Sequence, residues 1–312
     1  MNASPAAITA DAPARLPWLH RLSVASLVVT ILLTIGIGGT ITSTEVGMAY
    51  PTWPDINGGS LFNIFYGELA DAFGTGSVIE HTHRQAGALA GFIVLLTAAL
   101  AWLQRGVSKR VRWLATATLA LVTVQGLIGA LRVLENSYGG AILHALGAQA
   151  VVVVLVVQVR ATSGAPRLVP APADDRDATL RRWTTLALVL LFVNLFAAAS
   201  LRHKQGAFPG HLVLAILTAV VLLAVMRLAF LAPVRRALHR DALRMSWVLG
   251  TQLALGVAAW AYLLGPLAED FADEQLRFTV QAALATGHLL CGVLVMAVAT
   301  SLWLEARAPE AR

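Results

Sequence analysis

Long apolar runs separated by short polar stretches dominate the chain. Eight of them, near residues 22–42, 80–103, 112–132, 140–160, 183–201, 209–230, 246–265 and 279–304, reach the roughly 20 residues needed to cross the hydrocarbon of a bilayer. Lipid offers no hydrogen-bond partner to a backbone group, so each run must satisfy its own groups as a helix. The pattern predicts an all-α membrane protein with eight transmembrane helices, spans 1 to 8 below.

The connections divide these spans. Thr162 to Arg182, "TSGAPRLVPAPADDRDATLRR", is rich in Pro, Ala and charge and reads as a linker between two halves. The expected organisation is a four-helix half over 1–161, a linker over 162–182 and a second four-helix half over 183–312. Weak internal similarity agrees: "QGLIGA" and "QLALGV" share a Gln and a Gly four residues later, with Gln125 and Gln252 offset by 127, and His83 and His211 are offset by 128. Four helices per half preserve direction, so the expectation is two bundles related by a pseudo-twofold axis along the membrane normal. Their outer loops differ. The loop between spans 1 and 2 is long and carries Trp53, Phe62, Phe65 and Tyr66, whereas its counterpart "RHKQGAFPG" is short.

Charge sets the orientation. The chain is 57% hydrophobic and only 13% charged, and of its 23 Lys and Arg, 18 fall on one side of the eight spans, leaving Arg84, Arg132, Arg202, Lys204 and Arg277 for the other. Basic residues are retained on the cytoplasmic side, so both termini are expected there. The basic excess then reflects topology and contact with anionic membrane lipid. No interleaving of basic and aromatic residues suggests a nucleic-acid surface. The first run is too long for a cleaved signal, and no small-residue cleavage site follows it. Cys291, the one cysteine, lies within span 8 and reads as a small apolar core residue.

Four of the eight histidines occupy corresponding places: His83, His144, His211 and His288, one in each even span. With a rise of about 1.5 Å per residue, the first three lie within about two turns of the outer surface and His288 a turn or two deeper. Any one of them could be an interfacial residue with a hydrogen bond. Repetition on every even span points further, because imidazole ligates haem iron and two from facing helices can clamp one macrocycle. Gly87, Gly91, Gly147 and Gly292, with Ala215 beyond His211, stand where small residues would let a ring approach, a spacing that also serves helix packing. Zinc would require more ligands than these positions offer. His20 and His239 read as solvated on the cytoplasmic side, and His81 and His203 as structural or interfacial.

Glu80 lies three residues before His83 and four before Arg84, so the three share a helix face. It reads either as an acid paired with a base at a helix N-terminus or as a membrane-embedded group for proton transfer.

The segment "EHTHRQAGALAG" resembles the Glu-x-x-His-Arg signature of haem A synthases. Four more pieces are similar to that family: "GGTITSTEVGMAYPTWPDINGG" to its first outer loop, "VQGLIGALRVL" to its third helix, "HALGAQ" to the start of its fourth, and "LRHKQGAFPGH" to the opening of its second half. The resemblance implies oxidation of the haem O methyl group to a formyl group, giving haem A for terminal oxidases. It implies His83 and His144 on the substrate haem iron, His211 and His288 on the iron of a bound haem b, and Glu80 as the catalytic acid. It further implies a bacterial inner membrane, with haem O synthase and an electron donor as partners. This chain departs from the family in two places. Where many members carry a cysteine pair it has Ala49 or Tyr50 and Ile56, and beside His211 it reads "GHLVLA" in place of a His-Arg pair.

Two other readings of the same residues stand. One is a di-haem b-type cytochrome passing electrons between a quinol and a partner. The other is a transporter whose buried His and Glu bind protons or a substrate.

Overall fold

The computed structural model describes residues 16–49, 52–56, 59–63, 65–164, 175–232, 236–271 and 273–308. Tyr50, residues 165–174 of the expected linker and the basic residues Arg15, Arg167, Arg235 and Arg312 lie outside them. Among the described residues the chain is all-helical, with one isolated bridge between Ile56 and Gly59.

Eight helices are long and apolar enough to cross a membrane: Pro17–Ser43, Thr75–Leu103, Lys109–Glu135, Tyr138–Thr162, Ala178–Arg202, Phe208–Leu231, Arg236–Leu263 and Glu274–Glu305. These are spans 1 to 8, in the predicted order. Most extend a turn or so beyond the apolar runs, because hydropathy marks only what lipid could cover while helical hydrogen bonding continues into the polar ends. Span 7 extends furthest, starting at Arg236 with "RALHRDALRM". The helix that carries span 5 begins at Asp175, inside the stretch expected as linker. Ser108 and Ser137 cap spans 3 and 4 by accepting from Val111 N and Gly140 N, and Asp273 caps span 8 through Gln275 N and Leu276 N.

Spans 1 to 4 close into a ring of four neighbours, 1 against 2, 2 against 3, 3 against 4 and 4 against 1, and spans 5 to 8 close in the same way. The two rings meet where spans 1 and 4 pack on span 8 and span 4 on span 5. Ile31, Val152, Val156, Val293 and Leu304 form the apolar core of that junction. Large apolar side chains such as Phe92, Leu95, Val220 and Leu223 point outward, as in helices whose whole circumference is apolar. An ion pair of 2.9 Å between Arg160 and Glu305 joins the ends of spans 4 and 8. His20 and His239, expected to be solvated, are half-buried and bonded, to Thr162 Oγ1 at 3.3 Å and to Ala232 O at 2.8 Å.

Candidate functional site

Span 1 contains a π-helical stretch, Val29–Ile35. Its sequence, "VTILLTI", is crowded with β-branched residues that pack poorly in a tight α-turn, and π turns recur at functional sites. The Thr34 carbonyl accepts from His83 Nδ1 at 2.9 Å. One turn on, a Cβ at Gly38 would stand 2.8 Å from His83 Cε1, so glycine alone lets the ring lie against span 1. On span 3, Gln125 Nε2 donates to His144 O at 2.7 Å and to its Nδ1 at 3.0 Å. A Cβ at Gly129 would sit 2.9 Å from the His144 ring. So held, the His83 and His144 rings face each other edge-on, 6.5 Å between centres and 76° between planes.

The second pair repeats the device. His211 Nδ1 donates to Asn194 Oδ1 on span 5 at 3.0 Å, and Gln252 Nε2 on span 7 lies 3.3 Å from His288 Nε2. A Cβ at Gly256 would be 3.0 Å from the His288 ring. The ring centres are 6.4 Å apart at 83°. Each histidine of an even span is thus backed by the odd span before it, through a polar group with a small residue four positions later: Thr34 with Gly38, Gln125 with Gly129, Asn194 with Ala198, Gln252 with Gly256. Sequence reasoning noticed two of these Gln/Gly pairs as a repeat and missed their task. It also misassigned two glycines. Gly147 and Gly292 were expected to admit a ring, but the side chains of Gln125 and Gln252 lie against them, whereas Gly87 and Gly91 do have open space.

Glu80, only 4% exposed, spends both carboxylate oxygens on structure: one accepts from Ala49 N at 2.8 Å, the other from Arg84 Nη2 at 2.8 Å. Arg84 Nη1 donates in turn to Thr52 O at 2.8 Å, so this pair ties the long outer loop to span 2. His81 is fully buried against Tyr66 and within hydrogen-bond reach of Gln85. Arg132, at the end of span 3, is close enough to Glu80, His83 and His144 to act on them electrostatically. Arg202 stands in a similar relation to His288. Between them in the short outer loop, His203 is held down to about 4 by burial and by the cations Arg132 and Arg202.

The four imidazoles can hold two planar metal complexes. An imidazole nitrogen binds a transition metal at about 2 Å and lies about 1 Å from its own ring centre, so two on opposite sides of one iron have centres roughly 6 Å apart. The two pairs match that spacing. His83 and His211 commit Nδ1–H to an oxygen acceptor, which leaves Nε2 as the lone-pair nitrogen, the usual arrangement of a ligating histidine. Gln125 Oε1, Gln252 Oε1 and His288 Nδ1 are buried without a hydrogen-bond partner, so unsatisfied polar atoms gather around both pairs. Among the described residues no three His, Cys, Asp or Glu converge as they would on a bare metal ion.

Known proteins resemble the chain over part of its length. The family model described as cytochrome oxidase assembly protein matches residues 62–210, which contain Glu80, His83, Arg84 and His144 and stop short of His211. The haem A synthase of Staphylococcus carnosus is 25% identical over 201 residues, 61% of this chain and 59% of that protein. That of Geobacillus kaustophilus is 26% identical over 191 residues, 58% and 56% of the two chains. A protohaem IX farnesyltransferase of Halobacterium salinarum is 38% identical over 109 residues, 35% of this chain and 21% of that protein. The chain therefore spans less than two thirds of the length of these relatives. With the motifs in order along the sequence and four histidines paired as described, the chain is similar to haem A synthases and, over residues 62–210, to the cytochrome oxidase assembly protein family.

Proposed function

We propose that this protein oxidises the methyl group of haem O to a formyl group, giving haem A. The observation that carries the reading is the pair of matched histidine spacings, 6.5 and 6.4 Å, with each histidine backed by one polar group and one small residue on a neighbouring span. His83 and His144 hold the substrate haem, and His211 and His288 hold a resident haem b. When bound, the haem b supplies one-electron redox capacity. The halves 1–161 and 183–312 then divide the labour, substrate in the first and electron handling in the second. Arg132 and Arg202, half-buried near the outer ends of the two pairs, provide positive potential for the carboxylates at a haem edge. Glu80 moves a proton as the methyl is oxidised, and to do so releases Ala49 N–H or Arg84. The setting is a bacterial cytoplasmic membrane, crossed eight times with both termini inside. The likeness to protohaem IX farnesyltransferases supports haem O synthase as a partner; the four electrons lost by the methyl group and the oxygen it gains require an external oxidant and oxygen source, with an electron donor as a further partner.

A di-haem cytochrome is favoured by one observation, the full engagement of both Glu80 oxygens in holding the outer loop. Extraction of the haem from purified protein separates the readings. Haem b together with haem O, haem A or an oxidised intermediate supports the synthase. Haem b alone supports the cytochrome, and a protein without haem overturns both.

A further inference from the structure

At the membrane end opposite the histidine pairs, spans 5 and 8 enclose a groove of about 610 Å³ open to the surroundings. Its polar end is lined by Arg181, Arg182, Arg307 and Thr185, and Leu186 and Val189 continue it along span 5. Among the described residues no carboxylate lines it. Arg307 is fixed in place. Its guanidinium donates to Thr184 Oγ1 at 3.3 Å, Trp303 O at 2.9 Å, Arg181 O at 3.1 Å and Thr185 Oγ1 at 2.7 Å, and it lies 4.2 Å from the centre of the Trp303 ring. With those donors spent, Arg307 contributes a fixed positive charge, while the Arg181 and Arg182 guanidinium groups remain to meet a ligand. Burial and the neighbouring Arg181 cation hold the Arg307 group below its usual range, the strain of like charges that an anion would relieve. A run of cations at a helix end, followed along the same helix by exposed apolar side chains, matches a molecule with an anionic head and a hydrocarbon tail.

We infer that this groove is a binding site for one anionic phospholipid, its phosphate between Arg181 and Arg182 in the field of Arg307 and an acyl chain along Leu186 and Val189. Juxtamembrane basic residues favour anionic lipid enough that removing two of them should weaken binding roughly 30-fold, and one roughly fivefold.

The test is native mass spectrometry of the full chain in neutral detergent, titrated with phosphatidylglycerol, with phosphatidylcholine of the same acyl chains, and with inorganic phosphate. The expected result is one tightly held phosphatidylglycerol, weakened roughly 30-fold in the double variant Arg181→Gln/Arg182→Gln and unchanged in Lys109→Gln/Arg110→Gln, which removes two cations at the start of span 3. If the first double variant does not fold, Arg182→Gln alone, at an exposed position, should show the fivefold loss. Equal retention of phosphatidylcholine, indifference to the span 5 substitutions, an equal loss in the span 3 variant, or full displacement by inorganic phosphate would each overturn the site.

Discussion

The two histidine pairs share a spacing and differ in everything around it. The first is backed by a π-turn carbonyl and a glutamine, and stands beside an acid, two arginines and a long loop folded over its end. The second is backed by an asparagine and a glutamine under a short loop, with Arg202 alone close by as a cation. On the proposed function, like spacing with unlike surroundings suits a first pair that holds a substrate which changes and a second that holds a resident group.

Histidine removal is the severest test of that contrast. His288→Ala should abolish or strongly perturb the b-type absorption spectrum of folded protein. His83→Ala should stop formation of haem A and leave much of the second haem in place. A normal spectrum in the first variant, or retained turnover with a lost second haem in the other, would reverse the roles.

Next in size is Glu80→Gln, which keeps the shape and removes the titratable group. If the carboxylate moves protons, turnover should fall roughly 100-fold while both haems stay bound. If Glu80 serves only to hold the loop and pair with Arg84, conversion should be near normal and stability lower by about 1.5 to 3 kcal/mol, the worth of a hydrogen bond to a charged group. Glu80→Asp should retain some activity in the first case.

The backing glycines sharpen the comparison from the other side. Gly129→Ala and Gly256→Ala each press a methyl onto one histidine ring, an overpacking that costs about 1 to 3 kcal/mol. Gly256→Ala should shift the b-type spectrum and Gly129→Ala should not. Equal spectral effects would mean that the pairs are not independent.

The smallest effect expected is at His203, whose ordinary value of 6.5 is lowered to about 4 by burial first and then by Arg132 and Arg202. The folded chain resists protonation there, so its stability is full above pH 6.5 and declines as pH falls from 6.5 towards 4. Solvent at this half-exposed ring limits the loss to at most about 1 kcal/mol. His203→Gln should flatten the melting temperature of detergent-solubilised protein over that range, and an unchanged slope would assign the acid sensitivity elsewhere.

The eight spans were legible because hydropathy at the scale of a bilayer is a sum over twenty residues and tolerates local error. The pairing of His83 with His144 and of His211 with His288 was legible from their order on even spans. What faced each histidine was not. Thr34 acts through a backbone carbonyl, which leaves no mark on residue type, and Asn194 reads like any polar residue in an apolar run. Gly147 and Gly292 misled because small residues signal close approach without naming what approaches. Glu80 was legible as one of two things, and its bonds to Ala49 and Arg84 give the structural one its geometry.

Arg202 closes the outer end of span 5 by donating to Gly39 O at 2.6 Å, to Ser43 Oγ at 2.5 Å and to Ala285 O at 3.5 Å. Its acceptors thus come from spans 1 and 8. During insertion this cation must wait for three further spans, and its shell of acceptors is complete only when both four-helix rings are in place. The two rings are thus one object at the moment of biogenesis, with a single arginine as the final latch.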